Sequence, residues 1–586
     1  MKRKKKVRKH EFVSEKTLIK KYGLTERLIE KYFPEPDLIG NLSPKSTAVK
    51  KYWRTEIADK AVNDPVLKAE LKRLEAMRRR REEKKNALSA YLSSFSLENY
   101  IEKGKHIRRK FVLHIGPTNS GKTYDAIQRM TRFESGTYLG PLRLLALEMF
   151  EKLNRLGCPC DLITGEEAEF TENATFVSST IELCDFYKQY DIAVIDEAQL
   201  IADPYRGSNW TKAICLVQAK EVHVCLAPEA REIVLQLMDQ LGQDYTIVEH
   251  ERLAPLIYGG HCSGINAVEK GDCIIAFSRK NVLAIAANLE RNGLKSSVIY
   301  GALPPHARRE EVRKFTAGET KVVVATDAIG MGVSLPIKRV IFSTVTKYDG
   351  KMRRRLTYSE LKQIAGRAGR YGIYDEGFVL SMEEPGYVKS ALQKDSFVIK
   401  HLFIAFPEEA LETQYTLREL LETWRGLPEN PLFQRENVDE AEYLLGKLTS
   451  PKAKIDKKLT YSLITCPVDV KNDALVNYWA TCAKSILEGR QIPEPWFECI
   501  DLEGCELQYR AYDIYHQLLR RIDQPDNSLE EKERICAKIA QLMKEKGMYL
   551  KRCRICNSLL PITSNFNICD RCYRRSWYIE DLADEW

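Results

Sequence analysis

The sequence predicts an α/β protein with two parallel sheets in tandem, flanked by a helical region on each side and ending in a cysteine cluster. Three observations predict this class. Short apolar, β-branched runs alternate with helical patterns between about residues 110 and 385, as in strands joined by crossover helices. The flanking regions show helical apolar spacing instead. Four of the 16 cysteines stand close together near the C terminus.

Composition narrows the class of protein further. The chain has 586 residues, of which 44% are hydrophobic, so it has enough apolar side chains for several packed cores and is not globally disordered. No apolar run approaches the roughly 20 residues of a membrane-spanning helix, so no membrane partner is expected. Scattered cysteines such as Cys225 and Cys273 stand in apolar strands and are predicted to be buried thiols, which favours a reducing compartment.

The N-terminal region is distinguished by its charge. Residues 1–110 hold 31 basic and 15 acidic residues, although the whole chain carries only +9, so the remainder is net acidic. This asymmetry indicates a polyanionic partner. We predict a disordered basic arm over 1–12 and a helical module over 13–105. The basic run at 78–81 favours a solvated helix face over a dedicated nucleic-acid contact.

The strand pattern divides the middle of the chain into two sheet domains, predicted over 106–255 and 256–385, with a helical domain over 386–548. The predicted strands are Phe111–Ile115, Thr175–Val177, Asp191–Ile195, Val222–Leu226, Cys273–Phe277, Ser297–Tyr300, Val322–Ala325 and Val340–Ser343.

A phosphate-binding loop follows the first predicted strand. The stretch 116–123 fits GxxxxGK[ST], whose glycines let backbone N–H groups surround phosphate oxygens. Lys122 is expected to reach the β- and γ-phosphates, and the Thr123 hydroxyl to hold Mg²⁺. The helix that follows directs its positive N terminus at the anion. The alternative is a coincidental glycine-rich turn. The remaining candidate nucleotide contacts here are Gly116, Thr118, Asn119, Ser120 and Gly121.

Two adjacent carboxylates, Asp196 and Glu197, end another apolar strand. We expect Asp196 to hold Mg²⁺ through its water shell, and Glu197 to orient and deprotonate the attacking water. The alternative is that they only cap the next helix. The phosphate loop upstream weakens this helix-capping alternative.

A basic segment at 363–370 supplies the positive charge that phosphoryl transfer needs in the transition state. Arg367 and Arg370 are three residues apart and share one face if the segment is helical. Gln363 is a candidate for positioning the water. The alternative is a basic helix end on the surface.

Together these motifs resemble superfamily 2 helicases. The ordered set GPTNSGKT, GPLRLLALE, TGEE, IAFSR, ATDAIGMG and QIAGRAGR resembles the mitochondrial-degradosome RNA helicases, the suppressor-of-var family, which also has bacterial members. The likeness covers about residues 110–385, roughly half of the chain. It implies two RecA-like domains that close on ATP and drive 3′→5′ movement along one strand, separating duplexes.

The resemblance also implies further site residues. Asp327 and Gly330 match positions near the nucleotide ribose and the domain interface. The positions that match the family's grip on the strand backbone are Pro141, Leu142, Arg143, Thr164 and Gly165 in the first domain and Ser278, Arg279 and Thr326 in the second. One departure is the run Cys225–Glu229, which stands where many helicases have Ser-Ala-Thr. There is also no upstream glutamine motif of the DEAD-box type.

The C-terminal cysteines form two CxxC pairs separated by twelve residues, a spacing that suits tetrahedral Zn²⁺ coordination. The alternatives are a redox pair or unbound thiols. Such a closed four-thiolate site over 549–578 would be structural. Its basic and aromatic neighbours fit nucleic-acid contact as well as they fit a simple cap on the helical domain. An acidic tail follows at 579–586. The predicted zinc ligands are Cys553, Cys556, Cys569 and Cys572.

The sequence thus predicts an ATP-dependent RNA helicase acting on single-stranded and duplex RNA, in RNA decay and with an exoribonuclease partner as the family suggests. Two alternatives stay open: a DNA-directed helicase, and an ATP-gated RNA clamp that does not unwind. Residues 1–10 are Lys-rich and lack Ser, which is a poor transit peptide. A bacterial cytoplasm is therefore expected, with mitochondrial or nuclear location as the alternatives.

Overall fold

The computed structural model describes residues 12–543, except 23, 34, 41–49, 166, 331–334, 350–351, 371, 449–455 and 527, and also describes residues 569, 571 and 572. Nearly all of the predicted basic arm, most of the predicted zinc module and the whole acidic tail lie outside these residues. The chain divides into two compact units, Met1–Ser94 and Phe95–Trp586. Within the described residues, no helix combines the length and the apolar character needed to cross a membrane.

The first unit combines helices with a small antiparallel sheet of strand order β1-β3-β2. The sequence analysis expected the helices but not the sheet. Asp64 caps the longest helix by accepting from the N–H groups of Val66 and Leu67, and Pro65 occupies its first position. The elements are β1 (Phe12–Ser14), α1 (Glu15–Tyr22), α2 (Glu26–Tyr32), β2 (Leu38–Gly40), β3 (Lys50–Arg54), α3 (Thr55–Asn63) and α4 (Pro65–Ser93).

The second unit begins with a lobe, called here the first lobe, built on an eight-stranded sheet of order β11-β4-β10-β9-β5-β8-β6-β7. All neighbouring strands are parallel except the pair β6 and β7. Its elements are α5 (Leu97–Lys105), β4 (Lys110–Ile115), α6 (Lys122–Met130), β5 (Gly136–Gly140), α7 (Arg143–Arg155), β6 (Cys160–Ile163), β7 (Ala168–Glu169), β8 (Phe176–Thr180), β9 (Tyr190–Ile195), α8 (Gly207–Leu216), β10 (Ala219–Leu226), α9 (Arg231–Leu241) and β11 (Asp244–Glu249).

The second lobe has a six-stranded, all-parallel sheet of order β12-β19-β16-β13-β15-β14. A hairpin, β17 and β18, stands beside it. Its elements are β12 (Leu256–His261), β13 (Asp272–Ile275), α10 (Arg279–Arg291), β14 (Ser296–Ile299), α11 (Pro305–Thr316), β15 (Val322–Ala325), β16 (Arg339–Phe342), β17 (Thr346–Tyr348), β18 (Arg353–Arg355), α12 (Tyr358–Ala365), β19 (Gly377–Ser381) and α13 (Pro385–Gln393).

Both sheets are covered by helices, and their central strands are largely buried, as expected for parallel sheets. Strands β13, β14 and β15 are buried along their whole length. Because the carboxyl ends of parallel strands meet at one edge of a sheet, the loops that carry the predicted motifs gather along that edge in each lobe. This confirms the predicted fold class of two parallel-sheet domains flanked by helical regions.

The C-terminal region returns from the second lobe to the first. The Ile399 N–H donates to the Glu229 carbonyl (2.8 Å) and the Ser208 hydroxyl to the Glu436 carboxylate (2.9 Å). A parallel pair of short strands accompanies its helices. The elements are β20 (Leu402–Ile404), α14 (Leu417–Arg425), β21 (Phe433–Arg435), α15 (Asp439–Lys447), α16 (Lys457–Ile464), α17 (Asp473–Leu487), α18 (Leu502–Arg521) and α19 (Ser528–Leu542).

The cysteines of the lobes are buried free thiols, including Cys225 and Cys273 in the strands where the sequence suggested them. Burial raises the pKa of both thiols, so they stay protonated. Cys499 and Cys505 differ, because they are joined by a disulfide at the start of α18.

Candidate functional site

The predicted phosphate loop connects β4 to α6 in the first lobe. Its bend requires left-handed backbone at Asn119 (φ 60°) and Gly121 (φ 85°). A side chain at Gly116 would place its Cβ 2.3 Å from the His250 carbonyl oxygen, so only glycine fits there. The Lys122 ammonium donates to the Gly116 and Pro117 carbonyls at 2.5 and 2.7 Å. The loop therefore holds a buried cation at the start of a helix, and this burial lowers the pKa of Lys122.

The carboxylate of Asp196, at the end of β9, faces this loop. Its Oδ1 accepts from the Thr123 hydroxyl (3.0 Å) and its Oδ2 from the Tyr138 hydroxyl (2.9 Å). Burial and the neighbouring Glu197 raise the pKa of Asp196 to about 6. Trp210 donates to the Asp196 carbonyl at 2.9 Å and fixes the strand end.

Glu197 is held in a strained conformation. Its φ of 51° is left-handed, which is uncommon for a non-glycine residue and is often found at active sites. The Gln199 amide donates to the Glu197 carboxylate and accepts from the Ala227 N–H at 3.1 Å. Gln199 therefore links the predicted base to the end of β10, where this chain lacks the Ser-Ala-Thr of other helicases. The sequence analysis did not assign it a role.

The oxygen set around Asp196 fits Mg²⁺. A carboxylate and a hydroxyl 3.0 Å apart, at the mouth of a phosphate-binding loop, are hard donors of the kind that Mg²⁺ prefers. Thr123 and Asp196 are the residues that would hold it.

The arginines of the segment 363–370 face the first lobe. Arg367 is half-buried, donates from Nε to the Gly330 carbonyl at 3.1 Å, and interacts electrostatically with Asp196 and Glu197. Burial lowers the pKa of Arg367. Arg370 lines an interlobe cleft of about 890 Å³ that also contains Glu148. Burial raises the pKa of Glu148, and the charge of Arg370 opposes that rise.

The other second-lobe candidates for the nucleotide site lie close to Arg367. The Gln363 side chain lies 3.9 Å from where a Cβ on Gly330 would be. Asp327 pairs with Lys347 at 3.2 Å.

The phosphate loop and the arginine segment touch directly across the lobes. The Asn119 amide donates to the Gly366 carbonyl at 2.9 Å, and a Cβ on Gly366 would lie 2.8 Å from that of Thr118. Arg252, between the lobes, donates to the carbonyls of Thr118 (3.0 Å), Gly366 (2.9 Å) and Ala368. Burial lowers the pKa of Arg252 to about 10.

Sequence reasoning missed Arg252. It stands in a polar stretch with no motif, and its position after the last strand of the first sheet is the only signal that points to it.

A chain of three imidazoles underlies the phosphate loop and was also missed. His114 on β4 bonds His250 through Nδ1 and His223 through Nε2, both at 2.8 Å. His223 bonds Glu221 at 2.8 Å, which pairs with Arg129. The pKa of His114 is lowered to about 3, chiefly by burial and to a smaller extent by the neighbouring His223 and His250. Burial also lowers the pKa of His223, so His114 and His223 are neutral at physiological pH.

The first-lobe residues predicted to grip a strand lie in the loops after β5 and β6. The Pro141 carbonyl accepts from Arg206 at 2.6 Å, Leu142 is the N-cap of α7, and Arg143 is its first residue. Thr164 is buried, and its hydroxyl donates to the Glu167 carbonyl at 3.1 Å. The carbonyl of Gly165 accepts from Gln517 of α18 at 2.6 Å.

The second-lobe residues of this set open α10 or follow β15. Ser278 caps α10 by accepting from the Asn281 N–H at 3.1 Å, and the Thr326 hydroxyl accepts from the Ala328 N–H at 3.3 Å. Arg279 is bound by two carboxylates of α18, Glu503 (2.8 Å) and Glu506. The structure thus brings residues of both lobes against one helix that the sequence did not connect with them.

The predicted zinc ligands are only partly described. Cys553 and Cys556 lie outside the described residues. The Cys572 N–H donates to the Cys569 sulfur at 3.4 Å, and Cys572 is buried. The residues that the structure describes contain no group of three or more His, Cys, Asp or Glu side chains arranged to hold a metal ion.

Comparison with known families follows the same division into lobes. Residues 98–250 match the model of the DEXQ-box helicase domain of Suv3, and residues 258–372 match the helicase conserved C-terminal domain. The two matches correspond to the two lobes and confirm the resemblance that the motifs suggested.

Curated relatives are mitochondrial ATP-dependent RNA helicases by name. The chain is 42% identical over 298 residues to SUV3 of Candida albicans, covering 49% of this chain and 41% of that protein. It is 42% identical over 311 residues to human SUPV3L1, covering 50% and 40%. With SUPV3L1 of Danio rerio it shares 34% over 420 residues, covering 68% and 55%. The chain spans about half the length of these relatives.

Proposed function

From its Suv3-type DEXQ-box helicase domain and its helicase C-terminal domain, we propose that this chain is an ATP-dependent RNA helicase that moves 3′→5′ and separates duplexes. One observation carries the proposal. The phosphate loop of the first lobe and the arginine segment of the second lobe are in direct contact, through Asn119, Arg252 and Gly366. A nucleotide held by the loop therefore meets groups from both lobes, as a motor that couples hydrolysis to lobe movement requires.

The residue roles follow from this geometry. Bound ATP with Mg²⁺ supplies the anhydride bond and screens its charge. Lys122 binds the phosphates. Glu197, fixed by Gln199, orients the attacking water and accepts its proton. Arg367, which interacts electrostatically with the two carboxylates, stabilises the charge that develops in the transition state.

The second arginine and the glutamine belong to the same assignment. Arg370 faces the cleft from the second lobe, and Gln363 lies beside Gly330. The predicted domains over 106–255 and 256–385 are then the two halves of one ATPase.

A strand-displacement assay tests the proposal. RNA and DNA duplexes with 3′ or 5′ tails are incubated with ATP, and Lys122→Ala is the inactive control. We expect separation of 3′-tailed RNA and none of 5′-tailed RNA. Separation of DNA alone would favour the DNA-directed helicase, and ATP-dependent binding without separation would favour the clamp.

We also propose a four-thiolate zinc site formed by Cys553, Cys556, Cys569 and Cys572. It is supported by the two CxxC pairs and by the N–H···S bond from Cys572 to Cys569, which suits the tight turn of such a pair. Metal analysis of the purified chain should give about one zinc per chain. Cys569→Ser should lose it, whereas Cys536→Ser, a buried cysteine of α19, should keep it.

RNA decay with an exoribonuclease partner is a further proposal, supported by the family resemblance. Copurification of nuclease activity with the tagged chain tests it, and a chain recovered without any nuclease would argue against it. The relatives are mitochondrial by name, which favours the mitochondrial alternative over the bacterial cytoplasm predicted from the basic N terminus. Fractionation of the source cells decides between them.

A further inference from the structure

Helix α18 spans both lobes with one face. Its contacts with the lobes come from Glu503, Glu506, Gln517 and Arg520. At about 100° per residue these four positions fall within roughly one third of the helix circumference. Glu506 and Gln517 are separated by about 16 Å along the axis. The helix is thus long enough to be fixed to one lobe at each end.

The N-terminal end of α18 binds the second lobe through Arg279. One guanidinium nitrogen of Arg279 bonds Glu506 and the other bonds Glu503 at 2.8 Å. Glu506 is 4% exposed and also accepts from the Tyr300 hydroxyl at 2.7 Å. A guanidinium that donates to two carboxylate oxygens from both terminal nitrogens is in the geometry it would use for a phosphate.

The C-terminal end of α18 binds the first lobe through backbone carbonyl oxygens. Gln517 donates to the Gly165 carbonyl at 2.6 Å, and Arg520 donates to the Thr164 carbonyl at 3.0 Å. The Gln517 contact joins two neutral groups, so a strand phosphate has no charge to replace there. The two ends of α18 therefore differ: the contact with the second lobe pairs Arg279 with two carboxylates, for which a phosphate can substitute, whereas the first-lobe contact contains no carboxylate.

We propose that Glu503 and Glu506 occupy Arg279 in place of a strand phosphate, so that an RNA strand and the N-terminal end of α18 compete for it. The proposal rests on the proposed function, since it assumes that Arg279 lies in the strand path. In the strand-free state the carboxylates keep Arg279 paired and lower the affinity for RNA. When a strand phosphate takes Arg279, the second lobe loses its charged contact with α18 while the first-lobe contact through Gln517 stays.

Release at one end also gives the lobes freedom to move. With both ends fixed, α18 holds the second lobe at a set distance from the first. Once Arg279 exchanges partners, that constraint is weakened on the second-lobe side only, where the Tyr300–Glu506 bond is left. RNA binding would thereby permit the interlobe movement that accompanies ATP turnover.

The test is equilibrium binding of a 20-nucleotide oligouridylate without nucleotide, measured by fluorescence anisotropy at several salt concentrations. In Glu503→Gln/Glu506→Gln the amides keep the side-chain volume but no longer compete as anions. We expect about tenfold tighter binding, and a salt slope steeper by about 0.7, the value for one additional phosphate contact on a single strand. Adding Arg279→Ala should remove the gain.

The matched control is Asp469→Asn. Asp469 pairs with Arg510 of the same helix at 3.0 Å, so its loss removes an acidic partner of α18 without changing either lobe contact. Affinity and salt slope should stay at the wild-type values. A similar gain in this control, or a gain that survives Arg279→Ala, would mean that removing negative charge is enough, and would overturn the proposal.

A second measurement uses the unmutated chain. Hydrogen exchange of the amides in residues 502–510 should become faster when oligouridylate is added, and that of residues 514–520 should not. Unchanged or slower exchange in 502–510 overturns the proposal. If RNA still stimulates ATP turnover and strand separation, the proposed function survives this failure. A chain that binds neither RNA nor DNA refutes both.

Discussion

Two faces of the second unit are assembled in different ways. The nucleotide face contains the phosphate loop and the arginine segment, and the strand face contains the residues of both lobes that are predicted to grip a strand. At the nucleotide face the two lobes contact each other, with Asn119 and Arg252 of the first lobe bonded to the carbonyl of Gly366 in the second. At the strand face the candidate residues of both lobes contact a third element, α18. The candidate nucleotide residues therefore all lie within the lobes, whereas candidate strand residues of both lobes also contact the C-terminal region.

The bonds at the two faces also differ in the groups that they join. The nucleotide-face bonds are made by half-buried donors to backbone carbonyls. The pair formed by Arg279 with Glu503 is partly exposed, with 79% of the Glu503 side chain open to solvent, so its contribution to stability is small. Under the proposed competition for Arg279, contacts at the strand face exchange when RNA binds, whereas the contacts between the lobes at the nucleotide face do not.

The largest effect that distinguishes the nucleotide face from the strand face is expected for Lys122→Ala. Loss of the ammonium should reduce ATP turnover to the limit of detection, because the phosphates lose their main cationic partner in the first lobe. Nucleotide-free RNA binding should stay within about twofold, since the Lys122 ammonium bonds carbonyls of the phosphate loop itself. Phosphate release and anisotropy measure the two effects, with Lys220→Ala, an exposed first-lobe lysine, as control. Retained hydrolysis would refute the phosphate-loop assignment.

Arg367→Ala should spare ATP binding and lower turnover by a factor on the order of 10³, the loss expected for an arginine that acts on the transition state. Binding of a fluorescent ATP analogue and steady-state turnover separate the two. Arg313→Ala, an exposed arginine on α11, is the control. Weaker RNA binding with normal turnover would show instead that Arg367 belongs to the strand face.

Arg252→Ala should have an intermediate effect. Its three bonds to carbonyls join the phosphate loop to the arginine segment, and charge-assisted bonds of this kind contribute roughly 1.5–3 kcal/mol each. We expect turnover to fall roughly 10- to 100-fold, since some of that energy also stabilises the resting state. Arg231→Ala, whose side chain pairs with Glu249 within the first lobe, should leave turnover unchanged. Equal losses in both variants would contradict the linking role.

The smallest expected effect is the dependence of folding stability on pH. The pKa of His114 is lowered from 6.5 to about 3, and that of His223 is also lowered, chiefly by burial. A base with a depressed folded-state pKa contributes stability that is present above pH 6.5 and is lost as pH falls toward 3. The loss per histidine is on the order of 1 kcal/mol per pH unit.

The melting temperature should therefore fall between pH 7 and pH 5. His114→Gln should reduce this fall, because it removes one of the buried groups that the unfolded chain protonates. His261→Gln, on the exposed face of β12, should not reduce it. If the melting temperature falls equally in the wild type and in His114→Gln, the imidazole chain is not the cause of the acid sensitivity.

Much of the fold could be predicted from the sequence. All eight predicted strands overlap observed ones, because each is a β-branched run buried in a parallel sheet. The strands that were missed include β5 (Gly136–Gly140), which is bounded by glycines, and β11 (Asp244–Glu249), which is mostly exposed. The sheet of the first unit was missed because its three short strands have no alternating pattern.

The candidate nucleotide site could be proposed from the sequence because phosphate chemistry demands particular residues at fixed short spacings. The glycines, lysine and threonine of the loop are neighbours in sequence, and each carboxylate or arginine follows a recognisable strand or segment. The sequence by itself therefore determined which groups are candidates for binding ATP.

Only the tertiary structure decided which residues far apart in the sequence contact each other. Gln517 and Gly165 are 352 residues apart, and Arg279 and Glu506 are 227 apart, in segments with no shared motif. Such pairings depend on how the C-terminal region folds back over the lobes, which no local pattern of residue types encodes. For the same reason Arg252 became recognisable as a link between the lobes only when its three carbonyl partners were seen together.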